Sequence, residues 1–289
     1  MEGISNFLEF FTLEGLFKKI FQVDMFGAIT DLLSDNLFSP ASNFGPILNL
    51  INRLFDMIRP VAVMLLFVYF LVSLVDRVAS ETFTWEQLWR LFCMLLATKL
   101  LIDHGLTLIE NLYGIGLSLT NSFSGLRAPG SDFAITDQQI TELLDQIKGQ
   151  MGWLPIRFLM EILLWVMLLI PALISWLMKL SVSVIVYSRI IEVYLRAVFM
   201  PAAISDVFHG GLQSTGGRYI KSFFAVCLQG PMIIIISIIY SQLSVILTQS
   251  YGQSGDFFAF YTILMAIQAS AIMLMFKSLS LTKEVLGAG

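Results

Sequence analysis

The sequence predicts an all-α fold, a polytopic helical bundle embedded in a lipid bilayer, with five or six spans and an amphipathic N-terminal helix. Three observations carry this expectation. Hydrophobic residues make up 57% of the 289 residues and charged ones only 13%, too little charge to cover the surface of a soluble fold of this size. The charges are also missing over continuous runs: residues 60–75, 222–255 and 257–276 contain no Asp, Glu, Lys or Arg. Crossing a hydrocarbon core about 30 Å thick takes about 20 apolar helical residues. The last two runs meet that length, and the first meets it when its flanking side chains snorkel. Finally, the runs end on charged residues, Arg59 with Asp76 and Arg77, Lys221 and Lys277, as membrane interfaces require.

Along the chain, Ile4, Phe7, Leu8 and Phe11 share a helical face opposite Glu2, Asn6 and Glu9, the pattern of a helix lying on a membrane surface. From Pro46, a plausible first-turn residue, Ile47, Leu50, Ile51, Leu54 and Ile58 repeat the design against Asn52, Arg53, Asp56 and Arg59. Residues 1–57 are therefore expected as amphipathic surface helices, and 58–120 as the first two spans, the second over Leu91 to Leu119. Residues 121–157 form a polar connection in which Thr136 and Gln139 suit a capping box. Ile140, Leu143, Leu144 and Ile147 there make the stripe of a short amphipathic helix. Residues 158–289 hold the remaining spans, at about 158–178, 180–205, 222–249 and 257–276. Pro171 is an expected kink, and Gly230 with Pro231 an expected bend. Two readings stay open after Lys179: the chain turns and crosses again, or one very long helix runs on to about Pro201.

Lys and Arg counts orient the bundle. With six spans, Lys18, Lys19, Arg53, Arg59, Arg127, Lys148, Arg157, Arg218, Lys221, Lys277 and Lys283 fall on one side, against Arg77, Arg90 and Lys179 on the other. Both termini are then cytoplasmic. With five spans the N-terminus moves outside and the bias weakens. The C-terminus is cytoplasmic in either case.

Several function classes are disfavoured. A net charge of −4 without any basic run argues against a tight, sequence-independent grip on nucleic acid. Cys93 and Cys227 lie in apolar segments and offer neither a disulfide framework nor metal spacing. The first residues lack a basic n-region ahead of an apolar stretch, so no cleaved signal peptide is expected. His104 and His209 have no second ligand at metal spacing. No phosphate-binding loop, nucleophile elbow or HExxH motif occurs. Neither enzymatic activity nor a cofactor is expected.

The chemistry that stands out is charge at membrane depth. On one continuous helix Lys99, Asp103 and Glu110 fall within about 40° of each other, and Arg189, Glu192 and Arg196 form a second stripe of alternating sign. Such charges are costly in lipid and face a bundle interior or a watery cavity. Either they line a pathway or subunit contact, or they neutralise each other internally, since each stripe holds opposite charges at pairing distance. The segment DVFHGGLQSTGG, with Gly210, Gly211, Gly216 and Gly217, breaks the second half of the chain.

The stretch RAVFMPAAISDVFHGGLQSTGGRYIKSFFAVCLQG, residues 196–230, resembles the TrbL-like polytopic membrane proteins of type IV secretion and conjugation systems. The shared features are a Pro near the end of one hydrophobic helix, a short glycine-containing connector, and an aromatic and basic opening of the next helix. In this sequence they are Pro201, residues 206–217, and Arg218, Tyr219 and Lys221. Trp165 and Trp176 in a central span fit the same family, and the hydrophobic layout matches over roughly residues 58–280. The resemblance implies a non-enzymatic subunit of an inner-membrane translocation channel, present in several copies beside other secretion subunits and separate ATPases, with DNA only as transported substrate. It also implies five spans, an outside N-terminus and a cytoplasmic C-terminus. The alternatives are a small-molecule transporter or permease subunit, built on broken helices such as those at Pro171 or Pro231, and a scaffold that only anchors an assembly.

Overall fold

The computed structural model of the chain describes residues 15–16, 20, 32–79, 84–126, 141–142, 145, 154–252 and 257–287. The described residues include six long α-helices and, among them, no strand. In order they are α1 (Gly45–Ala79), α2 (Trp85–Asp103), α3 (Gly105–Gly125), α4 (Leu154–Gly210), α5 (Thr215–Gly252) and α6 (Phe257–Val285). A short 3-10 turn, Gly211–Gln213, lies between α4 and α5. α1, α4, α5 and α6 each contain a stretch long and apolar enough to cross a membrane, and α2 and α3, bent by 66° at His104, meet the same test only together, as one broken span or a re-entrant loop.

Three expectations change. The predicted surface helix after Pro46 and the predicted span from Pro60 are one helix, α1, which runs through Pro60. Its buried face is Leu48, Ile51, Phe55, Ala62 and Leu66; Ile47, Leu50 and Leu54 of the predicted apolar stripe point outward. Neighbouring helices decide which side of a helix with apolar residues nearly all round is covered. Second, the segment from Leu91 to Leu119 is not a single straight span. His104 caps α2, and Gly105 opens α3 where an added Cβ would meet the Phe55 ring at 3.1 Å. Third, of the two readings left open after Lys179 the single long helix holds: the spans drawn at 158–178 and 180–205 are both parts of α4, and that helix continues past Pro201 to Gly210. Neither Gly nor Pro flanks Lys179, and Ser183 Oγ donates to its carbonyl at 3.0 Å inside the helix. At 1.5 Å per residue, the 57 residues of α4 extend about 85 Å, nearly three hydrocarbon thicknesses. The helix therefore reaches well beyond one bilayer core.

The predicted N-terminal surface helix over Ile4–Phe11 lies outside the described residues. So does the amphipathic helix of the polar connection, apart from residues 141, 142 and 145, which are helical.

The chain divides into two compact units. The first comprises Met1–Leu33, Asn121–Val186 and Ile233–Lys277. Its core joins Leu16 and Ile20 to Leu164 and Leu168 of α4, Leu247 of α5, and Phe260 and Leu264 of α6. Its buried polar groups are neutral: Gln268 Nε2 donates to Ser175 Oγ at 2.8 Å, and Ser237 Oγ donates to the Ile234 carbonyl at 2.7 Å. The second unit comprises Ser34–Thr120, Tyr187–Met232 and Ser278–Gly289. In it α1 and α2 pack as a pair, tied by Arg59 and Asp103. The segment ahead of α1 is held by two tyrosines. Tyr113 of α3 donates to the Asp35 carbonyl at 3.1 Å, and Tyr194 of α4 donates to the Leu37 carbonyl at 2.8 Å. Phe38 sits edge-on to both rings, with centroids 5.3 and 6.0 Å away.

Candidate functional site

The charges singled out in the sequence occupy three separate places, all in the second unit. In the first, Asp103 at the end of α2 accepts from Arg59 of α1, Nη2 at 2.6 Å and Nε at 3.1 Å. Lys99 is exposed on α2, and Glu110 is exposed on α3 beyond the bend. The expected common face of Lys99, Asp103 and Glu110 does not form, because the helix they were placed on breaks at His104.

The second place lies between α4 and the start of α5. Arg196 Nε donates to Glu192 Oε1 at 2.9 Å, and its Nη1 donates to Ser222 Oγ at 2.8 Å. The Tyr219 hydroxyl donates to the Arg196 carbonyl at 3.1 Å, and the guanidinium lies 5.8 Å from the Tyr219 ring centroid. These residues form an internally compensated joint between two helices.

Arg189 belongs to neither pair. It is 2% exposed, and its bonds go to backbone carbonyls of α5, Nε to Val226 and Nη2 to Cys227, both at 3.1 Å. Among the described residues no carboxylate is within ion-pairing distance of it; Glu192, three positions on, is taken by Arg196.

The glycine-rich connector is a tight, well-bonded turn. α4 ends at Gly210, and Gly211 adopts φ +63, a left-handed conformation that glycine tolerates. Ser214 Oγ accepts from the Gly217 amide at 3.1 Å, capping α5, and Asp206 of α4 accepts from the Gly216 amide at 2.7 Å. Gly216 is buried where a Cβ would strike the Ala203 carbonyl. Arg218 and Lys221 follow on the exposed side, and Pro201 is buried within α4.

The periodicity of charge alone missed one feature. α3 buries Gly105, Ile109, Tyr113, Gly116 and Thr120. Its outer side carries Thr107, Glu110, Asn111, Gly114 and Ser118, all exposed. At about 100° per residue these two sets lie on opposite sides of the helix. The outer set is a polar line bordered by exposed Ile115 and Leu119. Hydroxyls and an amide at helical spacing were legible in the sequence once α3 is treated as a helix of its own. Among the described residues no group of three or more His, Cys, Asp or Glu side chains is placed to hold a metal ion.

Long apolar helices with charges gathered at joints between them, and one helix polar along its outer side, define a multi-pass membrane protein. Residues 30–201 match the family described as TrbL/VirB6 plasmid conjugal transfer like protein, and the chain belongs to that family. The match overlaps only the first residues of the 196–230 stretch and lies mainly in α1 to α4. Comparison with curated proteins and with solved structures gives no further match.

Proposed function

We propose that the protein is a subunit of the conduit that carries DNA or protein out through the bacterial cytoplasmic membrane in a conjugative type IV secretion apparatus. It assembles with copies of itself and with other secretion subunits, takes energy from separate ATPases, and touches DNA only as cargo. Family membership supports the setting. The observation that carries the reading is the outer side of α3: Thr107, Glu110, Asn111 and Ser118 are exposed together along one side of a helix that also exposes Ile115 and Leu119. A carboxylate and a primary amide such as Glu110 and Asn111 are costly against lipid, whereas a water-filled path accommodates them. Lys99, Glu110, Arg218 and Lys221 are the candidate charges at that path or at subunit contacts, since each is exposed. With α4 continuous through Lys179, five passages remain, counting α2 with α3 once. An odd number of passages leaves the termini on opposite sides, and the family resemblance implies that the C-terminus is the cytoplasmic one.

The test is substituted-cysteine labelling in a Cys93→Ser background, in intact cells carrying the full apparatus. Cysteines at 107, 111, 114 and 118 are expected to react with a charged maleimide, while those at 109, 113 and 116 stay unreactive. A bulky adduct at 114 or 118 is expected to suppress DNA transfer without affecting growth. Normal transfer through an adduct-bearing protein, or in a deletion strain, overturns the reading.

A further inference from the structure

Pro231 lies inside α5, which continues on both sides of it. Proline has no N–H, so the carbonyl four residues earlier, that of Cys227, has no donor within its own helix, and the proline ring crowds the same turn. In a membrane helix no bulk water replaces the missing bond. Arg189 of α4 reaches this turn from outside. Its Nη2 donates to the Cys227 carbonyl at 3.1 Å, and its Nε donates to the preceding carbonyl, Val226, at the same distance.

The surroundings are shaped to this contact. A Cβ on Gly230 would stand 2.7 to 2.9 Å from Nη1, Cζ and Nη2 of Arg189, so the guanidinium occupies the space that any other residue at 230 would fill. On the other side, a Cβ on Gly116 of α3 would stand 2.5 Å from the Cys227 oxygen, so α3 closes directly over that carbonyl. The Tyr113 ring centroid lies 5.9 Å from the guanidinium carbon, within cation–π range. Pairing with an acid does not account for a buried cation whose hydrogen bonds all go to carbonyl oxygens. The planar fork of arginine can bond two successive carbonyls at once, which a single lysine ammonium does not reproduce.

We infer that Arg189 splints α5 at its proline break: the guanidinium supplies the hydrogen bond that Pro231 removes, and in doing so it pins α3, α4 and α5 at one point. Arg189 is thus a positioning residue that faces the interior of its own unit, and its charge does not border the conduit.

The dependence of Arg189 on Pro231 provides the test. In a Cys93→Ser background, the buried Cys227 thiol is the reporter, and its reaction with a small uncharged maleimide is followed in native membranes. Arg189→Leu is expected to speed that reaction about tenfold or more, the effect of losing a charged hydrogen bond. Pro231→Ala restores an amide at 231, so in its background Arg189→Leu is expected to change the rate by no more than about twofold. An equally large acceleration with and without Pro231→Ala overturns the inference. If Arg189→Leu alone does not accumulate, accumulation becomes the readout. Recovery in the double variant then supports the splint, and its absence overturns it. A conduit-lining arginine predicts no such rescue.

Discussion

The two units bury polar groups inside apolar helices by different means. In the first, every described buried polar side chain is neutral, with Ser175 and Gln268 joined across two helices and serines turned back onto their own backbone. In the second, a full positive charge is buried at Arg189 and a carboxylate–guanidinium joint lies close by at Glu192 and Arg196. Neutral interhelical pairs in membranes contribute roughly 0.6 to 2 kcal/mol. Breaking a buried ionic contact costs about 3 to 5 kcal/mol, because the remaining group is left uncompensated. The second unit should therefore tolerate substitution poorly at a few positions, while the first degrades gradually.

The comparison can be broken in order of effect. Gly116→Val forces a branched side chain against the Cys227 carbonyl and should cost about 3 kcal/mol or more. It is measured as loss of monodisperse protein in detergent or a large fall in melting temperature. Gly230→Ala should cost about 2 kcal/mol by displacing the guanidinium, with a thermal shift that largely disappears once Arg189 is also replaced by Leu. In the first unit, Gln268→Leu should cost only about 1 kcal/mol. Ser175→Ala combined with Gln268→Leu should return to within about 0.5 kcal/mol of the parent, because both partners leave together. The smallest effect is expected for Arg59→Ala: its pair with Asp103 is 40% and 34% exposed, and such contacts contribute about 0 to 1 kcal/mol. If Gln268→Leu proved as damaging as Gly116→Val, the contrast between the units would be wrong.

Much of this architecture was legible without coordinates. The uncharged runs 222–255 and 257–276 mark the apolar lengths of α5 and α6, whereas α5 runs on through the Gly230–Pro231 pair where a bend is expected. Other features depend on partners distant in the chain. Asp103 stands at pairing distance from Lys99 on its own helix, yet it meets Arg59, 44 residues earlier. A stripe of charge read by period assumes an unbroken helix, and His104–Gly105 ends that assumption. Arg189, Glu192 and Arg196 do share a helix, but their partners divide them: one faces carbonyls of α5, and the other two face each other. The join between residues 45–57 and the following span was hidden because Pro60 suggested a start, although a membrane helix accommodates an interior proline. The connector region carries the family resemblance in the sequence, whereas the family match lies chiefly upstream of it.

The splint at Pro231 also bears on how the chain enters the membrane. Arg189 is made before the carbonyls that receive it, which lie 37 and 38 residues later. An arginine at the centre of an isolated inserting helix is opposed by about 2.5 to 3.5 kcal/mol, and until α5 follows only the apolar residues of α4 itself offset that cost. Pairing α4 with α5 across the short turn at 211–213 gives the guanidinium its carbonyl partners. Chains that end before Cys227 should accordingly insert α4 less efficiently than chains that include it.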